Sequence, residues 1–234
     1  MKQNDKRFEA YARLVVEVGS NVQAGVPVWI QASVETAPFV RLVTRYAYEK
    51  GASEVLVDWS DDTLRRLRLE HAPMEVLETV PDFLYERREY YCKKGTHMIH
   101  LISADPEALT GVDPDRVQKA SMAMNRKFQP LRHYTMNDEI SWTIAAIPSP
   151  AWAMKVYPDA ADSDAAVDRL WEQIFEVMRL NLPDPVQAWQ EHLKRLQHRA
   201  DLLNAYRFQS VHYTASNGTD LTVRLPEGHL WLAA

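Results

Sequence analysis

The sequence predicts an α/β fold: an open, three-layer, mainly parallel sheet with flanking helices, followed by two helices and a β-hairpin that begins a second domain. Three observations lead there. Short apolar runs suited to buried strands alternate with amphipathic helical stretches through roughly the first 150 residues. The segments between those runs are long enough for right-handed crossovers between parallel strands. Near the end, Asn217-Gly218 sits between two runs rich in β-branched and aromatic residues, the pattern of a hairpin turn.

The first element is a helix. Phe8, Tyr11, Leu14, Val15, Val18 and Val22 recur at helical spacing until Gly25 and Pro27 stop the pattern. "VWIQAS" (28–33) follows as a buried strand, and then a helix with Pro38 in its first turn, apolar Phe39, Leu42, Val43 and Tyr46, and Gly51 at its end. The unit recurs as "EVLVDW" (54–59), a helix in "DDTLRRLRLEHA", a second helix in "PDFLYERREYYCKKG" and the strand "THMIHLIS" (96–103). A long helix is expected from Asp115 to about Tyr134, with "NDE" (137–139) as a turn before the strand "EISWTIAAI" (139–147). "PSPAWAMKVYP" reads as a proline-punctuated loop, which sets Trp152 apart from the tryptophans on apolar helix faces and strands. Two helices come next, from Asp164 to Leu180 and from Pro185 to about Tyr206. The first of them buries Val167, Leu170, Trp171, Ile174, Phe175 and Met178.

The expected organisation is therefore an α/β domain at 1–150, a connecting helical segment at 151–207 and the first hairpin of an incomplete domain at 208–234. A two-residue turn centred on Asn217-Gly218 would set His212 opposite Val223 and Tyr213 opposite Thr222. A single bulge would instead align Val211 and Tyr213 with Leu221 and Val223, and the sequence leaves both registers open. Two strands alone are marginal in water, and Leu230, Trp231 and Leu232 follow them, so further packing is expected at this end.

Bulk properties narrow the function. The 234-residue chain is 46% hydrophobic, enough for a sizeable core without staples. Its single cysteine, Cys92, has no intramolecular partner, which suits a reducing compartment, and such a thiol is usually a buried small hydrophobe. A net charge of -5 with both signs interspersed gives no electrostatic footprint for nucleic acid. The N-terminal stretch lacks the apolar core of a signal peptide and no segment has the length of a membrane span, so a cytoplasmic location is expected.

Neither strand-to-helix junction, "QASVETAPF" nor "DWSDDTL", carries a glycine-rich phosphate loop, and the seven glycines do not cluster. Ligands of open α/β sheets bind beyond the carboxyl ends of the strands, which here means Ser33 to Thr36 and Asp58 to Asp62. Asp58 could face a ribose hydroxyl, but helix capping better explains the "WSDDT" carboxylates. Metal pairs are not apparent. His97 and His100 lie three apart on a strand and point to opposite faces, while His192 and His198 diverge around a helix. His71, His133, His212 and His229 stand alone. Glu191 and Arg195 form an ordinary i,i+4 helix pair worth about 0.3–0.5 kcal/mol.

Several strings carry a resemblance over essentially the whole chain. "FEAYARLVVEVGSNVQAGVPVWIQA", "RYAYEKGASEVLVDW", "IPSPAWAMKVYPDA" with its "LWEQIF" helix, and "YRFQSVHYTASNGTDLTVRLPEGHLW" together look like the thermophilic metallo-aminopeptidases, the aminopeptidase T, AmpS and PepS group. The resemblance implies a cytoplasmic, homodimeric metallopeptidase that removes N-terminal amino acids from short peptides with two divalent cations, cobalt or zinc. The family's ligands, two Glu, two His, one Tyr and one Asp, are expected downstream of "EGHLW". No catalytic, cofactor-binding or metal-binding role therefore passes to His212, Glu227, His229 or any other residue here, and the chain alone is expected to be inactive. The alternative reading is a non-catalytic α/β module that binds a small molecule at the sheet edge or dimerises through Leu230 to Leu232.

Overall fold

A computed structural model of the protein describes residues 5–103 and 105–233. These divide into two compact units, one ending at Pro185 and the other starting at Val186. The first unit therefore takes in helices beyond residue 150 that the sequence reading placed in a connecting segment.

Four strands build its sheet: β1 (Val28–Ser33), β2 (Val55–Ser60), β3 (His97–Ile102) and β4 (Trp142–Ala146). They lie in the order β2-β1-β3-β4 and every pairing is parallel, as the crossover argument requires. The order reverses between β1 and β3. Register puts Ile30, Ile99 and Thr143 in one row on one face, and Trp29, Met98 and Trp142 in the adjacent row on the other.

Two layers of helices cover those faces. On the Ile30 side, α1 (Lys6–Leu14) runs into a π-turn (Val15–Gly19), and α2 (Ala37–Glu49) packs beside it. The periodicity predicted one helix reaching Val22; instead the helix widens and ends at Gly19, while Val22 is buried by non-helical chain. Gly19 allows a close approach to β4 at this point, since a Cβ there would stand 2.8 Å from Thr143 Oγ1. Two later helices, α8 (Pro150–Val156) and α9 (Ser163–Val177), belong to the same unit. The α9 stripe docks on α1 and α2, with Phe8 edge-on to Trp171 at 4.8 Å and to Phe175 at 5.2 Å. Of the stripe that the spacing predicts, Leu170, Trp171, Ile174 and Phe175 are buried, while Val167 and Met178 are half-buried.

The opposite layer comprises α3 (Asp62–His71), α4 (Met74–Leu77), α5 (Asp82–Lys93), α6 (Pro114–Phe128) and α7 (Arg132–Met136). Tyr91 of α5 meets Trp29 edge-on at 5.5 Å, which fixes α5 on that face. Leu69, Leu77, Val112 and Ala120 form a small core beneath α3, α4 and α6. The long helix expected to reach Tyr134 breaks after Phe128, where Gln129–Leu131 form a 3-10 turn. Pro130 accounts for the break, because it offers no N–H to the preceding turn.

The stretch "PSPAWAMKVYP" corrects another expectation. It forms α8 rather than a loop: Ser149 Oγ accepts from Trp152 N at 3.1 Å as N-cap, and Pro150 occupies the first helical position, where its missing N–H costs nothing. Trp152 is thereby half-buried on a helix.

The second unit holds α10 (Pro185–Tyr206) from its second residue on, and the antiparallel pair β5 (Ser210–Thr214) and β6 (Asp220–Arg224). The bulged register is the one adopted: Val211 faces Val223 and Tyr213 faces Leu221. A three-residue loop replaces the two-residue turn, with Gly218 N donating to Ala215 O at 3.1 Å and Gly218 at φ +91°. One hairpin face thus carries Val211, Tyr213, Leu221 and Val223, and the other is polar.

Candidate functional site

Where the strand order reverses, the carboxyl ends of the strands open into a crevice of about 260 Å³. Ser33, Glu35, Asp61, Asp62, Ser103, Asp105 and Ser149 supply its polar wall. Each arrives there because a strand has just ended and a helix or turn must start. After β1, Ser33 Oγ accepts from Glu35 N at 3.4 Å, and Thr36 Oγ1 donates to Ser33 O at 2.7 Å. After β2, Asp61 Oδ1 accepts from Leu64 N at 3.0 Å and caps α3. Asp62 Oδ2 accepts from Asp105 N at 3.1 Å, which ties the start of α3 to the segment after β3. Asp105 Oδ1 in turn accepts from Glu107 N at 2.8 Å. After β4 comes the Ser149 cap of α8.

Electrostatics follow from these roles. The backbone N–H groups that would cradle a phosphate already face serine hydroxyls and carboxylates of the chain itself. Four carboxylates remain around the opening, so the crevice repels anions and suits neutral or cationic polar groups. Asp61 performs the capping that "WSDDT" suggests. Asp58 does not cap; it faces Arg87 Nη2 at 2.7 Å, and that guanidinium lies 4.8 Å from the Trp29 ring centre.

A divalent metal does not fit the donors. Among the described residues, no group of three or more His, Cys, Asp or Glu side chains gathers as a potential ligand set. In the crevice, Asp61, Asp62 and Asp105 each commit an oxygen to a backbone N–H. The described histidines are dispersed. His97 is buried at the start of β3, its Nε2 accepting from Gln23 N at 3.4 Å, and burial lowers its pKa. His100 points to the other face, and burial followed by the nearby Arg88 charge lowers its pKa as well. His133 and His229 contact the backbone oxygens of Pro130 and Pro226 at 2.8 and 3.0 Å. His71 lies 4.0 Å from Glu70, and His192 packs edge-on against Trp189 at 5.4 Å. Cys92 is buried, and desolvation raises its pKa, which keeps the thiol neutral.

Two features escaped the sequence reading. His212 is not isolated: its Nε2 lies 2.6 Å from Asp220 Oδ1 across the polar hairpin face, a contact set by the register. Ser103, Asp105 and Ser149 join the crevice because parallel strands end at one edge; the polar residues after "HMIHLI" and the serine in "PSP" were their only local signal.

Comparison with known proteins adds a further finding. A sequence model of the family described as thermophilic metalloprotease (M29) matches residues 4–234. Aminopeptidase PepS of Streptococcus thermophilus is 42% identical over 229 residues, 98% of this chain and 55% of that protein. Aminopeptidase AmpS of Bacillus subtilis is 40% identical over 229 residues, again 98% of this chain and 55% of the relative. The solved structure of wild-type AmpT from Thermus thermophilus superposes with a TM-score of 0.86 at 36% identity, covering 96% of this chain and 55% of its own. The chain thus spans about half the length of the relatives it matches.

Proposed function

Because the chain belongs to the thermophilic metalloprotease family M29, we propose that it serves as the N-terminal part of a metal-dependent aminopeptidase acting on short peptides. The observation that carries this reading is the 42% identity to aminopeptidase PepS across 98% of the chain. In this reading the chain supplies the α/β unit and the first hairpin of the enzyme, and the metal ligands come from polypeptide that the relatives have and this chain does not align with. Two divalent ions, cobalt or zinc, would polarise the scissile carbonyl and acidify a bound water there. The enzyme would work in the cytoplasm as a homodimer. No described helix is long and apolar enough to cross a membrane.

The division of labour has a chemical basis. The described residues gather no ligand set, and several of their carboxylates, such as Asp61 and Asp58, serve as caps or ion pairs. The chain by itself is therefore expected to leave leucine p-nitroanilide intact with cobalt or zinc. A chimera tests the reading directly: this chain replaces the matching portion of aminopeptidase PepS, and hydrolysis is followed with and without chelator. Chelator-sensitive turnover by the chimera and none by the chain is the expected result. Turnover by the chain alone, or a folded but inert chimera, would count against it.

A second reading rests on the crevice at the strand-order reversal, which gives the first unit a polar cavity of about 260 Å³ in the usual place for a ligand. Under it the unit binds a small neutral or cationic molecule without turnover. Saturable binding of such a ligand to an inert chain, together with an inert chimera, would favour it.

A further inference from the structure

A second cavity, of about 160 Å³, lies away from the carboxyl ends of the strands, between α5, α6 and α7 and the Trp29 face of the sheet. Its floor is apolar: Met98 and Ile140 pack with Cys92 and Tyr134 in a small cluster. Its polar groups are Arg88, Arg132, Asn125 and Thr135, and no carboxylate lines it. Arg88 and Cys92 are four residues apart on α5 and so share one helix face.

Two guanidinium groups opening on one small cavity repel each other unless an anion accompanies them. Among the described residues no acid lines the cavity; Glu89 lies near enough for its charge to act on Cys92 but is taken up by Lys93. Arg87, next to Arg88, pairs with Asp58 at 2.7 Å, and Glu89 pairs with Lys93 at 2.9 Å. Among the described residues, neither Arg88 nor Arg132 forms an ion pair. Arg88 instead stacks 5.2 Å from the Phe128 ring centre, and Arg132 Nη2 reaches Asn125 Oδ1 only at 3.4 Å. The thiol is no counter-charge, since burial holds Cys92 protonated. Stacking orients the Arg88 fork while leaving its N–H donors for a partner.

We propose that this cavity binds a small carboxylate attached to a short apolar body, with Arg88 and Arg132 gripping the carboxylate and Met98 and Ile140 receiving the apolar part. Two sources share that chemistry, a free aliphatic acid and the C-terminal residue of a short peptide. A free amino acid is disfavoured because no lining carboxylate meets its ammonium group. Inorganic phosphate would satisfy the arginines but leave the apolar floor unfilled.

Calorimetric titration of the chain tests this with 4-methylpentanoate, alanyl-leucine, the C-terminal amide of alanyl-leucine, and inorganic phosphate at low ionic strength. One or both carboxylates should bind saturably with Kd below about 1 mM, and which one binds tells the free acid from the peptide end. Amidation should weaken peptide binding at least tenfold, phosphate should bind at least tenfold more weakly than the better carboxylate, and Arg88→Gln and Arg132→Gln should each weaken that carboxylate at least tenfold. Arg132 is exposed, so its variant keeps the test open should Arg88→Gln unfold. The proposal is overturned if neither carboxylate binds, if phosphate binds equally well, or if the better ligand is indifferent to both substitutions.

Discussion

The hydroxyl of Tyr11 on α1 donates to Ala146 O at 3.2 Å and accepts from Ala146 N–H at 3.1 Å. Ala146 ends the edge strand β4, and its main-chain groups face away from β3. One phenol thus closes part of an exposed sheet edge, a place where unpaired strand groups invite association. Tyr11→Phe should keep the ring packing and strand both Ala146 groups, at a cost of about 1–3 kcal/mol. Urea unfolding checks this: the midpoint should fall with the slope unchanged, and a midpoint equal to the parent would refute it.

The same hydroxyl makes a pH prediction. Burial pushes the Tyr11 pKa up to about 12 from an ordinary 10.0, and the Ala146 contact lowers it only in part. Folding therefore favours the protonated phenol. Its contribution is fully present below about pH 10 and is lost as pH rises towards about 12. Parent and Tyr11→Phe stabilities compared between pH 9.5 and 11.5 should show a steeper decline in the parent, of up to one proton. Parallel curves would contradict the assignment.

Gly19 faces Thr143 too closely for any side chain, with a built Cβ 2.8 Å from Oγ1. Gly19→Ala should destabilise by about 1–3 kcal/mol through overpacking. Adding Thr143→Ala removes the offending hydroxyl and methyl, so the double variant should recover part of that loss. Strict additivity in the double-mutant cycle would show that the contact is not the cause.

Asp61 caps α3 at the crevice, and Asp61→Ala should cost about 1 kcal/mol while Asp61→Asn retains most of the stability. Thermal unfolding distinguishes them. Equal losses for both variants would mean that charge, rather than the hydrogen bond to Leu64 N, is what matters.

In the second unit, Asn204 Nδ2 donates to Trp231 O and Asn204 Oδ1 accepts from Trp231 N, both at 2.8 Å. Asn204→Ala should release the Trp231 amide, raising its hydrogen-exchange rate tenfold or more. Unchanged exchange would mean that other contacts hold the segment. The pair also revises the view of Leu230 to Leu232 as one apolar end: Leu230 and Leu232 are exposed, while Trp231 is tied back to α10.

Periodicity and punctuation by themselves determined the four parallel strands to within a few residues and most of the helices, while longer local strings carried the resemblance to the family, because all of these are properties of short segments. They also pointed to the strand ends at Ser33 to Thr36 and Asp58 to Asp62, and a crevice lies there with Ser33, Glu35, Asp61 and Asp62 in its wall. Tertiary structure alone decided the rest. Gly19 came to lie against Thr143 of β4, and the hairpin register brought His212 to Asp220. Residues 88 and 132 came to share a cavity without an acid, and Tyr11 found an alanine 135 positions away. Each of these depends on which distant surfaces meet once the sheet is assembled, and a linear pattern of apolar and polar residues does not encode that meeting.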